Sequence, residues 1–124
     1  MQISRDFLDK VDEGSCIPYR NNEVVCVSQD LPLIDSAPIE LEIDREGNNV
    51  LLRNIILDKE DDPLYVEYFI DAMFLNSISK SKSIIILFVD RSGEVLKKLV
   101  IYLTEDDIQL IRSEMRVGDK GFTV

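Results

Sequence analysis

The chemically active side chains of this chain are its carboxylates. Its 124 residues include 24 Asp and Glu but no His. Without histidine, the chain cannot assemble a Ser-His-Asp or Cys-His nucleophile, or a zinc site that uses imidazole. Two cysteines are too few for a four-cysteine zinc site, and no glycine-rich phosphate-binding motif of the GxGxxG or P-loop type occurs. The sequence therefore predicts a protein that is not an enzyme and that has no cofactor.

The carboxylates are concentrated in two places. Glu40, Glu42 and Asp44 alternate with aliphatic residues, which is typical of a half-buried strand with an acidic exposed face. A denser acidic run follows at Asp58–Asp62. Like charges that lie side by side repel, so they are tolerated only when solvated or met by positive charge, and Arg53 across the hairpin offsets part of the repulsion. The residues that we predict to bind a partner are Glu40, Glu42, Asp44, Asp58, Glu60, Asp61 and Asp62.

Two other roles for carboxylates fit the pattern less well. Paired acids serve glycoside hydrolysis or bind divalent cations. The segment Asp44–Asn49 has some features of a calcium loop, but its glycine is misplaced and the terminal glutamate is missing. The run Asp58–Asp62 precedes a predicted helix, where charge runs are usually solvated caps. We therefore predict a hairpin turn and a helix cap at these places, and no metal site.

The charge of the chain is strongly negative and unevenly distributed. The formal net charge is −10, of which −9 falls in residues 1–62 and −1 in residues 63–124. Direct binding of nucleic acid needs a basic surface, so this balance argues against it. Complementary potentials favour a basic protein partner, such as a nuclease toxin. The alternative is that the acidity serves solubility alone.

Location and redox state follow from weaker signals. The longest apolar stretches, Ser83–Val89 and Leu99–Leu103, are far shorter than the roughly 20 residues of a membrane-spanning helix. Met1–Lys10 lacks the continuous apolar core of a signal peptide, so we predict a cytoplasmic protein without a membrane segment. In that compartment Cys16 and Cys26 are expected to be two thiols, with a disulfide between them left open.

The predicted strands form two hairpins and one single strand. The single strand is Glu23–Ser28, which is apolar on both faces and is therefore expected to be covered on both. Residues 39–57 are predicted to form a hairpin that turns at Gly47. Ser83–Val89 and Val95–Leu103 are predicted to form a second hairpin.

The predicted helices are identified by their N-caps. Ser4 is expected to cap a first helix and Thr104 a last one, in which Asp107 completes a capping box. In the middle of the chain, Asp62 and Pro63 predict the start of an apolar helix over Leu64–Ser77. The aromatic residues of this segment are expected to pack in the core rather than to form a binding hot spot; they are Tyr65, Tyr68, Phe69 and Phe74.

These elements predict one α+β domain over residues 1–124, in the order α-β-β-β-α-β-β-α. The sheet is expected to be antiparallel, with about five strands and with helices packed on it. The predicted function is that of an inhibitor or immunity-type protein that neutralises a basic partner. The alternative is an assembly subunit that forms a homodimer or larger oligomer through the apolar central helix or an edge strand. A carboxylate or cysteine enzyme, or a small-ligand sensor, is a third and weaker alternative.

Overall fold

In the computed structural model the chain forms strands and helices that share one main hydrophobic core. The structure describes residues 2–28, 31–32, 34–38, 40–57 and 63–120. The helices among them are α1 (Arg5–Leu8), α2 (Ala72–Ser81) and α3 (Glu105–Lys120). The strands among them are β1 (Cys16–Pro18), β2 (Glu23–Val27), β3 (Ser36–Pro38), β4 (Glu40–Glu46), β5 (Asn49–Leu57), β6 (Pro63–Ile70), β7 (Ser83–Val89) and β8 (Val95–Tyr102).

The strands lie in two sheets. One has the order β1-β2-β7-β8-β3 and the other has the order β4-β5-β6. One face of the five-stranded sheet packs with the inner face of the three-stranded sheet and with α2 and α3 in a single core. The opposite face of the five-stranded sheet packs against α1. Strand β2 is therefore covered on both faces, as its apolar sequence predicts.

The fold class is confirmed as α+β, but the predicted single antiparallel sheet is wrong. The described residues form two sheets with eight strands, and the larger sheet is mixed because β2 pairs parallel with β7 and β3 pairs parallel with β8. The element order is α-β-β-β-β-β-β-α-β-β-α. Both predicted hairpins are present, as β4–β5 and β7–β8. The added strands are two short edge strands and β6.

The largest correction concerns the predicted central helix. Its first half, Pro63–Ile70, is strand β6, which pairs antiparallel with β5 over its whole length. The segment is rich in aromatic and branched residues, which favour strands. Tyr65, Glu67 and Phe69 point outward and alternate with residues that point into the core. The alternation is not visible in the hydropathy of the sequence, because the outward residues Tyr65 and Phe69 are themselves apolar.

The helix that follows is shorter and has a different cap. Asp71, rather than Asp62, is its N-cap, with the carboxylate accepting a hydrogen bond from the backbone N–H of Phe74 at 2.9 Å. Asp62 lies outside the described residues. Among those residues, none of the helices has both the length and the apolar character needed to cross a membrane.

The other two helices have the predicted caps. Ser4 accepts a hydrogen bond from the N–H of Phe7 at the start of α1. Thr104 and Asp107 exchange two hydrogen bonds, each from one residue's N–H to the other's side chain, at 2.9 and 3.1 Å. The capping box at the start of α3 is therefore confirmed, and Ile108 and Ile111 of this helix are buried.

The two cysteines form a disulfide, so the expectation of two thiols is wrong. Cys16 on β1 and Cys26 on β2 are directly opposite in the antiparallel ladder, with 4.1 Å between their Cα atoms. Such close opposite positions occur at the non-hydrogen-bonded pairs of a ladder. Disulfides persist mainly in oxidising compartments, and the predicted cytoplasmic location stays a prediction.

Candidate binding face

The outer face of the three-stranded sheet brings together three of the predicted acids, Glu40, Glu42 and Asp44. Because β4, β5 and β6 pair antiparallel in register, every second side chain of each strand points to this side. The inner side chains pack in the core, whereas the outer ones face solvent. Three cross-strand rows make up the face: Glu40–Ile55–Tyr65, Glu42–Arg53–Glu67 and Asp44–Leu51–Phe69.

The central row is held by one arginine. Arg53 contacts three carboxylates, with distances of 2.6 Å to Glu42, 3.0 Å to Asp44 and 3.1 Å to Glu67. Hydrogen bonds to Glu67, Glu42 and Asp44, in that order of effect, raise the pKa of Arg53 above its ordinary value. The Arg53 side chain is 19% exposed, while the side chains of the three acids around it are 45–59% exposed. The acids therefore remain available to a partner while their geometry is fixed from below.

The face keeps a large excess of negative charge. Glu46 at the end of β4 points to the same side, so that this side of the sheet has five carboxylates and one guanidinium, a net charge of −4. The arginine of β4, Arg45, points the opposite way and contacts Glu114 of α3. It does not neutralise the face. We call the six residues Glu40, Glu42, Asp44, Glu46, Arg53 and Glu67 the acid face.

The predicted partner-binding residues divide into two groups. Glu40, Glu42 and Asp44 lie on the acid face, and Arg53 offsets their charge as predicted. The other four predicted residues, Asp58, Glu60, Asp61 and Asp62, lie outside the described residues. Sequence reasoning missed Glu46 and assigned Glu67 to a helix. The aromatic and branched residues of Leu64–Ile70, which favour a strand, were the signal in the sequence that pointed toward a strand here.

A cleft adjoins the acid face. It lies between the segment that leads into β1 and the outer face of β5 and β6, and its volume is about 560 Å³. Tyr65 and Phe69, 53% and 46% exposed, contribute apolar surface to it, as do half-buried Leu51, Ile17 and Pro18. The charged residues that line it are Lys10, Asp12, Glu46 and Glu67. We call this space the aromatic cleft.

The prediction that Tyr65 and Phe69 pack in the core is wrong, because they lie on the outer face of β6; Tyr68 and Phe74 are buried as predicted.

Beneath the face, the sheet contains one buried polar contact. The phenol of Tyr68 donates to the side-chain oxygen of Asn54 at 2.5 Å, and both residues are at most 2% exposed. Burial raises the pKa of Tyr68 well above its ordinary value. Within the described part of the chain, the side-chain nitrogen of Asn54 has no hydrogen-bond partner. This pair fixes β5 to β6 directly below the arginine row.

The described carboxylates do not converge on a metal site. Within the ranges given above, no group of three or more Cys, Asp or Glu side chains has an arrangement that would hold a metal ion. Around Arg53 the guanidinium itself occupies the space between the three carboxylates.

Comparison of the chain with protein-family models, with curated proteins and with solved structures finds no match.

Proposed function

We propose that this protein is a non-enzymatic binding protein that captures a basic protein partner through its acid face. The partner class that fits best is a nuclease toxin or another nucleic-acid-binding protein, which the chain would inhibit as an immunity-type protein does. The observation that carries the proposal is the fixed array of exposed carboxylates around Arg53. A nuclease cleft holds phosphates with positive charge, and spaced carboxylates on a rigid sheet offer a substitute for them.

The physical properties of the array support this use. Charges at an interface speed the encounter of two proteins and fix how they align. Side chains that are already ordered lose less conformational freedom on binding. Arg53 orders Glu42, Asp44 and Glu67 before any partner arrives. The absence of histidine from the sequence supports a role without catalysis.

The test is capture of partners on the immobilised full chain, followed by elution in a salt gradient. The test variant is Glu40→Gln/Glu42→Gln/Asp44→Asn, and the matched control is Asp6→Asn/Glu94→Gln/Asp106→Asn, which removes three exposed acids elsewhere. We expect a basic nucleic-acid-binding protein that elutes with salt. Its affinity should fall about tenfold or more in the test variant, since each exposed charge pair is worth about 0.2–1 kcal/mol. Equal loss in both variants, or a partner insensitive to salt, contradicts the proposal.

The alternative function, an assembly subunit, has one observation in its favour. Tyr65 and Phe69 are exposed on an open sheet face, and exposed aromatic residues are common at protein interfaces. The predicted route through an apolar helix over Leu64–Ser77 no longer applies, because half of that segment is β6. Sedimentation of the purified chain distinguishes the two functions. Self-association that persists at high salt and is lost in Tyr65→Ser/Phe69→Ser favours assembly over capture of a basic partner.

A further inference from the structure

The aromatic cleft combines two features that together recognise one kind of side chain. On the outer face of β6, Glu67 lies between Tyr65 and Phe69. Residues two apart on a strand are separated by about 7 Å, so the carboxylate is within reach of a group that stacks on either ring. Asp12 and Glu46 also line the cleft. Neither Asp12 nor Glu46 forms an ion pair within the described residues.

We infer that the aromatic cleft binds an arginine side chain carried on an extended segment of the partner. The inference rests on the proposed function, because it names the part of the basic partner that this cleft receives. The guanidinium would stack on Tyr65 or Phe69 and donate to Glu67. A carboxylate accepts about four hydrogen bonds, so Glu67 accepts from a second guanidinium while Arg53 holds it.

The composition of the cleft favours arginine over lysine. Arginine presents a planar, weakly hydrated cation that stacks on aromatic rings and donates to a carboxylate at the same time. Lysine is a compact and strongly hydrated charge that gains less from a ring face. The charged lining, with three acids against Lys10, gives the cleft a net charge of −2. A volume of about 560 Å³ is within the range of sites that hold a ligand larger than one side chain.

Charge also distinguishes this occupant from a second copy of the chain. A second copy would bring its own acid face, with net charge −4, to a cleft that is itself acidic. Like charges brought together at an interface cost binding energy. A basic segment gains from both the cleft and the adjoining acid face, so the charges on this side of the molecule favour a cationic partner.

The experiment uses the full chain and two synthetic probes, an oligo-arginine and an oligo-lysine peptide of equal length. Affinities are measured by isothermal titration calorimetry, and the site is mapped from backbone amide shifts in NMR spectra. The test variant is Tyr65→Leu/Phe69→Leu, which keeps apolar area and removes the rings. The matched control is Tyr102→Leu, an exposed tyrosine (61%) on the other sheet. Circular dichroism checks that each variant is folded.

We expect the arginine peptide to bind several-fold more tightly than the lysine peptide and to shift the amides of Gly14, Ser15, Tyr65 and Phe69. The test variant should lose about tenfold in affinity for the arginine peptide, since each exposed cation–ring contact is worth about two- to fivefold. Tyr102→Leu should lose less than twofold. If the two peptides bind with equal affinity, and that affinity is unchanged in the test variant, this inference is overturned but the proposed function stands. Binding of neither peptide overturns both, and a wild-type dimer that Tyr65→Leu/Phe69→Leu converts to monomer overturns the choice of occupant.

Discussion

Arg53 donates from Nη1 to Oε2 of Glu42 across the β4–β5 ladder, with 2.6 Å between the two atoms. The same guanidinium contacts Asp44, which is also on β4, and Glu67 on β6, the strand on the other side of β5. One cation therefore joins all three strands of the sheet on their exposed side. It also keeps the acids from repelling one another in the unbound protein, so the sheet tolerates a charged face that a partner can use.

Removal of this cation should make stability depend on salt. In Arg53→Met, the carboxylates of the acid face repel one another without compensation, so the melting temperature should fall by a few degrees at low salt. Added salt should restore part of the loss, because the screening length shrinks from about 10 Å at 0.1 M to about 3 Å at 1 M. Thermal unfolding by circular dichroism at both salt concentrations measures this. Lys97→Met removes a cation that, within the described residues, pairs with one acid, Asp35; it is the control and should show the weaker salt response.

Parts of the fold were predictable because their signals are local. The capping box of Thr104 and Asp107 needs residues three apart, and the β4–β5 hairpin needs alternation around a turn at Gly47. Strand β6 was not predictable in the same way, because Tyr65 and Phe69 are apolar and yet point outward, so its two faces have similar hydropathy. Only pairing with β5 decides between strand and helix for such a segment.

The remaining errors concern contacts between distant residues. The parallel pairing of β2 with β7 joins residues about 60 positions apart, such as Val24 and Ile86, and nothing in either segment encodes it. The disulfide depends on the register of β1 against β2, which the spacing of the cysteines does not determine. At the candidate site, Glu40, Glu42 and Asp44 were identified from alternation alone. Glu67 was missed because its strand was predicted to be a helix.

The buried pair of Tyr68 and Asn54 predicts an effect of alkaline pH. Tyr68→Phe leaves the side-chain oxygen of Asn54 buried without its donor and should cost about 1–3 kcal/mol near neutral pH. Because the pKa of Tyr68 is raised in the folded state, the unfolded chain releases the phenol proton first as pH increases. Stability from this group is therefore fully present below about pH 10 and falls above it, by up to about 1.4 kcal/mol per pH unit. Urea unfolding at about pH 8 and above pH 10 measures both effects, and the wild-type advantage over Tyr68→Phe should shrink at the higher pH. An advantage that stays constant contradicts the prediction.

The disulfide should contribute a substantial part of the stability. Cys16 and Cys26 close a loop with a sequence separation of 10 residues. Loop closure of this length stabilises by about 3 kcal/mol in the chain-entropy model. Cys16→Ala/Cys26→Ala should therefore lower the free energy of urea unfolding by about 2–4 kcal/mol. A reducing agent should lower the stability of the wild type and leave that of the variant unchanged. A wild type indifferent to the reductant would show that the two cysteines are not joined in solution.

Gly93 connects the β7–β8 turn to the N-terminal segment and should not tolerate a side chain. Its φ is +90°, and its carbonyl accepts a hydrogen bond of 2.8 Å from the N–H of Ile3. A Cβ at this position would lie 2.3 Å from the carbonyl oxygen of Ile3, so the segment before α1 would have to move. Gly14 has a similar φ of +82°, with no atom within 4 Å of the same Cβ position, and it is the matched control.

The two glycine variants separate backbone strain from steric overlap. Gly14→Ala should cost about 1–2 kcal/mol, the penalty of a left-handed conformation for an L residue. Gly93→Ala also forces backbone in a packed region to move, and this should cost a further ~1–3 kcal/mol. Urea unfolding of both variants measures the difference. If the two losses are equal, the contact between Gly93 and Ile3 adjusts without cost, and the N-terminal segment is not held to the turn as tightly as this geometry requires.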